Sequence, residues 1–313
     1  MNAEAQRGSF ADALAVFGEV KEREPMARHT SLRIGGPADY LVTPRSVRTV
    51  PGLLACARAL GTPVTVVGNG TNLLVRDGGI EGVVIRLARC TAINPIGPDT
   101  LVAESGVPFP RLVRDAARRG LTGLEFAAGI PGTVGGAVRM NAGAHGGQLS
   151  DSLECVDMVT MDGDLITLPV ERLGLGYRTS ALPDGIVLSA VFSLRAGDEQ
   201  EIRRVTEENL AYRERTQPIL TPNAGSFFKN PPGDYAARLI EAAGCKEWEQ
   251  GDAVVSGRHA NFIVNVGKAR ASDVMILVER VRQRVQEHAG VTLEMEVKVI
   301  GRDPIREDKH HEQ

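Results

Sequence analysis

The hydrophobic pattern of the first hundred residues alternates between helical stretches and short apolar runs. Apolar spacing over residues 46–60 predicts a helix, and Pro51 fits within its first turns. The segments 63–67 and 82–87 are rich in β-branched residues, which is typical of buried strands. Elements alternating in this way over 38–106 predict an α/β arrangement.

Strands dominate the middle of the chain. A helix over 108–119 comes first and is expected to end at Gly120. Two apolar runs then flank Asp162-Gly163, a pair typical of a two-residue hairpin turn. A further strand is predicted over 186–194. Residues 155–194 are therefore predicted to be rich in strands.

After residue 197 the pattern becomes helical, so a domain boundary is predicted there. Helices are expected over 199–213, 234–243 and 272–288. In the last helix four valines recur at spacings of four, three and four, which places them on one buried face: Val274, Val278, Val281 and Val285. A final strand is predicted over 291–300.

Composition narrows the class of protein. A chain of 313 residues with 42% hydrophobic and 24% charged residues is expected to form two or three globular domains. A net charge of −3 with intermixed signs argues against a broad surface for nucleic acid or membranes. No apolar run approaches a membrane span, and the N-terminal segment does not resemble a signal peptide. Four widely separated cysteines predict reduced thiols in a cytoplasmic protein.

Two glycine-rich segments are candidate ligand loops. The first, GNGTNLLV (68–75), follows a predicted strand, and it can be a backbone nest for pyrophosphate or a plain tight turn. The second, at 129–147, has seven glycines in nineteen residues. It can hold a ligand against its backbone, or it can be a packing turn. Neither matches a Rossmann or P-loop motif, which argues against a nicotinamide-only dehydrogenase and a nucleotide triphosphatase.

Single residues with chemical potential remain ambiguous when each is considered alone. Ser226 lacks the G-x-S-x-G context of a hydrolase, and Arg178 can be a surface ion-pair partner or an anion clamp. Glu294 and Glu296 lie two apart on a predicted strand, facing one side, which can be a solvated face. His259 can be structural or a ligand contact. No H-E-x-x-H spacing is present, so no catalytic metal is expected.

Six motifs in order, spanning residues 28–301, resemble those of the UDP-N-acetylenolpyruvoylglucosamine reductase (UDP-N-acetylmuramate dehydrogenase) family. They are TSLRIGG (30–36), GNGTNLLV (68–75), GLEFAAGIPGTVGGAVRMNAGA (123–144), YRTS (177–180), GSFFKNP (225–231) and LEMEVKVIG (293–301). The short stretch between Tyr177 and Ile186 resembles the branch of the family that lacks a tyrosine-bearing insertion. In the other branch that tyrosine covers the substrate, so the resemblance does not predict which residues cover the UDP diphosphate here.

The resemblance implies an α/β (α+β) fold with a two-part FAD-binding region of the vanillyl-alcohol-oxidase type and a smaller α+β substrate-binding domain. The implied parts are 1–87 with a returning strand at 292–307, then 88–197, and then 198–291 for the substrate. The FAD contacts that it implies are Arg33, Gly68, Asn69, Gly70, Thr71, Asn72, Leu73, Gly129, Ile130, Pro131, Gly132, Thr133, Gly135, Gly136 and Ala137.

The resemblance also implies a reaction: NADPH reduces the flavin, hydride passes from N5 to C3 of the enolpyruvyl group, and a proton reaches C2. Arg178 and Glu296 are the implied partners of the developing enolate, and Ser226 is the implied proton donor. Met295 stands where a proline is expected, and Glu296 is chosen over Glu294 because it directly precedes VKVIG. For Glu296 to donate a hydrogen bond, we expect burial to raise its pKa.

Implied contacts to the UDP-sugar substrate come from Tyr177, Lys229, Asn230 and His259. We expect a cytoplasmic monomer that engages neither nucleic acid nor membrane. Two other functions remain open. A flavin oxidase acting on an alcohol would share the cofactor-binding fold, and a nucleotide-sugar sensor would bind without turnover.

Overall fold

A computed structural model describes residues 10–304 of the chain. The first nine residues, and the part of the predicted returning strand beyond 304, lie outside the described residues. The first helix, α1, is described over residues 10–15. The other helices are Val50–Ala59 (α2), Phe109–Arg118 (α3), Val134–Arg139 (α4), Glu199–Thr216 (α5), Ala236–Ala242 (α6) and Ala271–Ala289 (α7).

Nineteen labelled strands lie within residues 10–304. They are Gly18–Pro25 (β1), Pro37–Pro44 (β2), Val64–Val67 (β3), Leu73–Val75 (β4), Ile80–Arg86 (β5), Ile93–Pro95 (β6), Thr100–Glu104 (β7), Leu121–Thr122 (β8), Gly143–Ala144 (β9), Gly147–Gln148 (β10), Leu153–Thr160 (β11), Leu165–Pro169 (β12), Gly185–Ser193 (β13), Arg195–Ala196 (β14), Asn223–Ser226 (β15), Glu249–Gln250 (β16), Ala253–Val255 (β17), Phe262–Asn265 (β18) and Lys298–Ile300 (β19).

The chain divides into two compact units. Unit 1 holds the described residues 10–22, 40–71 and 82–219, and unit 2 holds 23–39, 72–81 and 220–304. The predicted three-part division, with boundaries after residues 87 and 197, is a different partition and stays a prediction. Helix α5, which that division places in the substrate domain, lies in unit 1.

Two sheets of four and five strands lie largely in unit 1. The order β1-β2-β5-β3 includes the parallel pair β3 and β5, and the antiparallel order β12-β11-β13-β7-β6 forms the second sheet. Helix α2 buries its apolar side in one cluster with β5 and the neighbouring strands. Helices α3 and α4 bury theirs in another cluster with β7, β11 and β13. The helices predicted over 46–60 and 108–119 are confirmed as α2 and α3, and the strands predicted over 63–67, 82–87 and 186–194 are confirmed as β3, β5 and β13. Helix α4 was not predicted.

Unit 2 is organised around α7. Its four predicted valines are all buried, and Leu277 joins them in one cluster with α6 and the sheet of order β15-β18-β17-β16. Strand β19 pairs in parallel with β4, register Lys298 to Leu73. The three helices predicted after residue 197 are confirmed.

Two predictions of local structure are wrong. Strands β11 and β12 form the predicted hairpin, but its turn is not two residues long. Thr160 N donates to Asp164 O at 2.9 Å and Gly163 N donates to Thr160 O at 3.0 Å, so residues 161–163 make the turn. Gly163 has φ +99°, a conformation that favours glycine.

The predicted strand over 291–300 is much shorter, because β19 begins only at Lys298. Upstream, a single bridge joins Met295 to Phe228, and that contact is antiparallel, whereas β19 pairs in parallel with β4. The chain therefore changes its partner and the sense of pairing just before β19, which interrupts the ladder.

The cysteines are free thiols; Cys90 and Cys245 are buried, and Cys56 and Cys155 are half-buried. No helix within residues 10–304 has the length and hydropathy needed to cross a bilayer.

The core of unit 2 gives a stability prediction. Leu277→Ala empties space at a fully buried position of α7 and is expected to lower the free energy of unfolding by about 2–5 kcal/mol. Ile276→Ala, on the same helix at a position 47% exposed, is the matched control and should change it by less than about 0.5 kcal/mol. Denaturant unfolding followed by the fluorescence of Trp248, the single tryptophan, reports on this cluster. Equal effects of the two substitutions would contradict the packing described.

Candidate active site

The two glycine-rich loops meet within unit 1. Asn69 Nδ2 donates to Gly132 O at 3.5 Å, and Thr71 Oγ1 donates to Pro131 O at 3.5 Å. A Cβ added at Gly68 would come within 2.7 Å of Thr133 Oγ1. Two segments that are sixty residues apart in sequence thus form one surface, and Gly68 is required by their close approach.

Those loops form part of a cavity of about 490 Å³ in unit 1. Its wall includes Gly68, Asn69, Thr133 and Gly136 from the loops, together with apolar residues from β3 and β13. A cavity of this volume is within the range of small-molecule and cofactor sites. The predicted loops therefore border a real concavity.

Two glycines of the second loop also allow neighbouring side chains to pack closely. A Cβ at Gly135 would lie 1.9 Å from Ser105 Oγ, and one at Gly147 would lie 2.7 Å from Phe126 Cβ. Ile130 and Ala137 pack in the apolar cluster of unit 1. The packing interpretation of this loop therefore applies to Gly135 and Gly147, and Gly135 and Gly136 also line the cavity. That the loop holds a ligand stays a prediction.

Two arginines that sequence reasoning missed line the same cavity. Arg139 Nη2 donates to the carbonyl oxygens of Gly185 and Pro183, the latter at 3.5 Å. Burial lowers the pKa of Arg139, and the nearby charge of Asp184 opposes that shift. Arg86 is also desolvated, which lowers its pKa. Arg139 lies inside the glycine-rich motif at 123–144, so that motif could have identified it as a candidate site residue. Arg86 lies in none of the six motifs.

These residues fit FAD. Glycine-rich backbone, the Thr133 hydroxyl and two guanidinium groups suit a diphosphate, and the apolar wall suits a planar ring. Gly70 continues the first loop with φ +62°. The fit rests on the loops and arginines of unit 1.

Arg178 is held in a strained turn of unit 1. Gly176 and Thr179 hydrogen bond to each other's backbone, and Arg178 between them has φ +57°. Its Nη2 donates to Gly143 O at 2.8 Å, and its guanidinium carbon lies 5.2 Å from the ring centroid of Tyr177. The turn and the carbonyl fix the direction of a half-buried positive charge.

A second group of residues near Arg178 was not predicted. Burial lowers the pKa of Arg213, and the positive charge of Arg178 lowers it further. Burial and then Arg213 lower the pKa of His145, whose ring packs edge-on against Tyr212 with centroids 5.5 Å apart. Positive charge is therefore concentrated around Arg178. Arg213 lies on the charged helix α5 among other arginines, so nothing in the sequence singled it out.

Ser226 lies in unit 2 at the end of β15, where the next residues anchor it. Phe227 and Phe228 are both buried. Asn261 holds Phe228 on both sides, because its Oδ1 accepts from Phe228 N at 2.9 Å and its Nδ2 donates to Phe228 O at 2.8 Å. Among the described residues no hydrogen bond involves the half-buried Ser226 hydroxyl. We call the two hydrogen bonds between Asn261 and Phe228 the clamp. By fixing the neighbouring backbone, the clamp leaves the Ser226 hydroxyl able to hydrogen bond to a ligand.

Glu296 is brought next to this segment in unit 2. Glu296 N donates to Phe227 O at 2.8 Å, and Lys229 N donates to Glu294 O at 2.8 Å. Asn72 Nδ2 donates to Glu296 O at 3.2 Å. Ser226 and Glu296 therefore lie on two adjacent segments of unit 2, although their sequence separation is seventy residues.

The remaining predicted site residues of unit 2 have mainly structural contacts. Lys229 pairs with Glu294 and, through that hydrogen bond, lowers the pKa of the Glu294 carboxyl. Asn230 Oδ1 accepts from Ala236 N at 3.1 Å, at the start of α6. His259 packs on Phe262 with centroids 4.7 Å apart, which favours the structural interpretation of this histidine.

Arg33 and Leu73 also lie in unit 2. Arg33 is an exposed residue between the buried Leu32 and Ile34, and its φ of +57° places it at the tip of a tight turn closed by Thr30. Leu73 begins β4. The contacts of Arg33 with FAD remain a prediction.

Known proteins resemble the chain over nearly its whole length. The family model described as FAD binding domain matches residues 38–169, and that of the UDP-N-acetylenolpyruvoylglucosamine reductase C-terminal domain matches 217–300. UDP-N-acetylenolpyruvoylglucosamine reductase 2 of Symbiobacterium thermophilum is 46% identical over 289 residues, 92% of this chain and 94% of its own. The reductase of Rubrobacter xylanophilus is 47% identical over 289 residues, 91% and 97% of the two chains. The crystal structure of UDP-N-acetylenolpyruvylglucosamine reductase from Thermus caldophilus superposes with a TM-score of 0.78 at 40% identity, covering 90% of this chain and 98% of that one.

The lowered pKa of His145 gives a pH prediction. Because the folded protein disfavours protonated His145, its contribution to stability is present above its ordinary pKa of 6.5 and is lost as the pH falls below that value. Arg213→Gln removes one repulsive charge but leaves the burial, so the pKa should rise part of the way towards 6.5. An NMR titration of the imidazole measures this.

The control is Arg215→Gln, an exposed arginine of the same helix, which should leave the titration of His145 unchanged. An Arg213→Gln protein with the wild-type pKa at His145 would remove Arg213 from the surroundings of that ring.

Proposed function

This chain belongs to the UDP-N-acetylenolpyruvoylglucosamine reductase family, and on that premise we propose which of its residues carry out the reaction. The chain is an FAD-containing oxidoreductase that reduces UDP-N-acetylenolpyruvoylglucosamine in peptidoglycan precursor synthesis. Its predicted flavoprotein fold, with an FAD-binding region followed by a distinct C-terminal domain, is confirmed by the two family matches.

The proposed catalytic roles rest mainly on one observation, the clamp between Asn261 and Phe228 next to Ser226. Two buried phenylalanines and the Asn261 side chain fix the backbone of Ser226–Phe228, and the same segment hydrogen bonds to the chain at Glu296. A hydroxyl and a carboxyl on adjacent, rigid segments are the arrangement that a positioned proton transfer requires.

FAD, when bound, supplies the hydride that adds to C3 of the enolpyruvyl group, and we propose NADPH as its reductant. Addition of hydride leaves negative charge at C2 and on the adjoining carboxylate. The guanidinium of Arg178 stabilises that growing charge, and Arg213 adds to the positive potential around it.

Ser226 then donates its hydroxyl proton to C2, which completes the reduction of the double bond. A serine hydroxyl is a weak acid, so the proton must leave as the negative charge collapses onto C2 and must be restored from water. Glu296 stabilises the enolate as a hydrogen-bond donor, which requires its protonated form; the predicted rise in its pKa remains a prediction.

Cofactor binding is assigned to the two loops of unit 1. Gly68–Thr71 and Gly129–Ala137 would hold the diphosphate by backbone N–H groups and by the Thr133 hydroxyl. Arg33, Asn72 and Leu73 are the proposed contacts from unit 2. Tyr177, Lys229 and Asn230 are the proposed contacts to the UDP-sugar, and His259 is the weakest of these proposals because it packs on Phe262.

We further propose that the enzyme acts in the cytoplasm as a monomer, without nucleic acid or membrane as a partner. Intermixed surface charge and the family's small nucleotide-sugar substrate support this. The three-part division into 1–87, 88–197 and 198–291, with a strand returning at 292–307, is retained as a proposal for the folding domains.

An anaerobic titration in two steps tests the proposed function. NADPH added first should bleach the flavin absorbance, and UDP-N-acetylenolpyruvoylglucosamine added next should restore it in stoichiometric amount. NADH in the first step measures the preference for the nicotinamide. Reduced protein that recovers its absorbance with oxygen but not with the nucleotide sugar would support an oxidase, and binding of the sugar with no recovery would support a sensor.

Ser226→Ala separates the two half-reactions. Because the hydroxyl acts only in the half-reaction with the enolpyruvyl substrate, flavin reduction by NADPH should keep its wild-type rate. Reoxidation by the enolpyruvyl substrate should slow at least ~100-fold, the lower end for a positioned proton donor. Anaerobic stopped-flow absorbance measures both rates.

Ser272→Ala is the matched control, since Ser272 is an exposed serine of the same unit. It should leave both rates unchanged. Wild-type reoxidation in Ser226→Ala would eliminate Ser226 as the proton donor.

A further inference from the structure

His145 lies in the tight turn between β9 and β10 of unit 1. Ala144 pairs in register with Gly147, so His145 and Gly146 form a two-residue hairpin turn. Their φ angles are +51° and +83°, and a positive φ at both positions is characteristic of a type I′ turn. Asparagine and glycine are the residues that this turn favours, so the turn by itself does not account for a histidine.

The same hairpin holds Arg178. Its Nη2 donates to Gly143 O at 2.8 Å, in the strand that leads into the turn. His145 is two residues further along, which is at most about 7 Å of backbone. On the other side of the turn the hairpin is tightly packed, because a Cβ at Gly147 would lie 2.7 Å from Phe126 Cβ. The packed hairpin therefore keeps His145 close to the guanidinium of Arg178.

Arg213 is the third member of this group. It lies on α5, where the preceding residue, Tyr212, packs edge-on against the His145 ring. A Cβ built at Gly129 would lie 3.2 Å from Arg213 Nε, so this side chain lies against the second glycine-rich segment. Within the described residues its guanidinium makes no ion pair or hydrogen bond. Burial lowers the pKa of Arg213, and the charge of Arg178 lowers it further.

Three carboxylates lie on the segments around the hairpin. Glu125 and Asp151 each accept a backbone hydrogen bond, at 2.8 and 2.9 Å, and Glu214 on α5 is exposed. None of them pairs with His145 in the part of the chain that the structure describes. Burial and then the charge of Arg213 lower the pKa of the His145 ring, so the imidazole is neutral at about pH 7 when no anion is bound.

A bound carboxylate reverses the charge that the imidazole experiences. Held by Arg178 and Arg213, it would place negative charge among the three side chains, and an opposite charge within about 4–6 Å favours the charged form of a titrating group. We propose that His145 accepts a proton when the enolpyruvyl carboxylate of the substrate binds at Arg178 and Arg213, so that it becomes the third positive charge of that site. The proton comes from solvent and adds to the ring nitrogen that carries none. This inference rests on the proposed function, which assigns the carboxylate to Arg178.

Proton uptake makes the affinity for the substrate depend on pH. A ligand that favours protonated His145 binds more tightly as the pH falls through the pKa of His145 in the complex, and the gain is complete below its pKa in the free protein. A difference of about one unit between those two pKa values corresponds to about a tenfold change in Kd.

Calorimetry on the enzyme with oxidised FAD tests this, because without NADPH the substrate binds and is not reduced. His145→Asn removes the titrating ring and introduces a residue that the turn favours, so the fold should be retained. The Kd of UDP-N-acetylenolpyruvoylglucosamine should agree within about twofold in the two proteins at about pH 9, and it should be roughly 3- to 10-fold lower in wild type at about pH 6. The other titrating groups are common to both proteins and cancel in this ratio.

An NMR titration of the wild-type enzyme identifies the group that takes up the proton, and it does not depend on the variant. Saturation with the substrate should raise the pKa of His145. The same nucleotide sugar without its enolpyruvyl group should leave that pKa at its value in the free enzyme. His288→Asn, which removes an exposed histidine of α7, is the matched control for His145→Asn and should give the wild-type Kd at each pH.

Two results would overturn the proposal directly: a Kd ratio that does not change with pH, and a His145 pKa that the substrate leaves unchanged. An equal rise in that pKa with the sugar lacking the enolpyruvyl group would also overturn it, since the acting anion would then be the diphosphate. A wild-type enzyme that does not bind the enolpyruvyl substrate would instead overturn the proposed function.

Discussion

The clamp between Asn261 and Phe228 is the interaction on which the catalytic segment of unit 2 depends. One side-chain amide satisfies both the N–H and the C=O of the buried residue Phe228, at 2.9 and 2.8 Å. A buried peptide group without partners would cost more than the bonds themselves contribute, so the clamp and the burial of the two phenylalanines depend on each other. Ser226 lies two residues before Phe228, and Glu296 N donates to the carbonyl oxygen of Phe227 between them. Both proposed catalytic residues are therefore attached to a rigid part of the core.

In unit 1, two arginine side chains are shielded from water, and no described carboxylate forms an ion pair with either of them. Burial lowers the pKa of Arg86, which has no ion pair among residues 10–304, and Arg213 is desolvated beside a like charge on Arg178. Each of these placements costs folding free energy in the absence of an anion. Proteins keep such costs mainly at functional sites, where a bound phosphate or carboxylate removes them. The two positions mark different places in unit 1, one in the cavity and one near Tyr177.

The apolar periodicity of the chain identified most of its helices, whereas the family resemblance identified its candidate catalytic residues. Periodicity located α2, α3, α5, α6 and α7, because an apolar stripe at helical spacing leaves few alternatives. It failed at the turn after β11 and at residues 291–297, where the choice of partner, not the local pattern, sets the structure. Ser226, Arg178 and Glu296 each had an ordinary structural alternative, and only the order of six motifs singled them out.

The sequence by itself determined the secondary structure of the long periodic segments, the two glycine loops and the family, because these depend on neighbours along the chain or on an ordered set of short motifs. Only the tertiary structure decided that Gly68 must admit Thr133, that Asn261 holds Phe228, and that Arg86 lines a cavity with its Nε unpaired among the described residues. Those contacts join residues about thirty to sixty-five positions apart, or concern the absence of a partner. Desolvation and pairing are properties of the folded surroundings, so no local pattern could encode them.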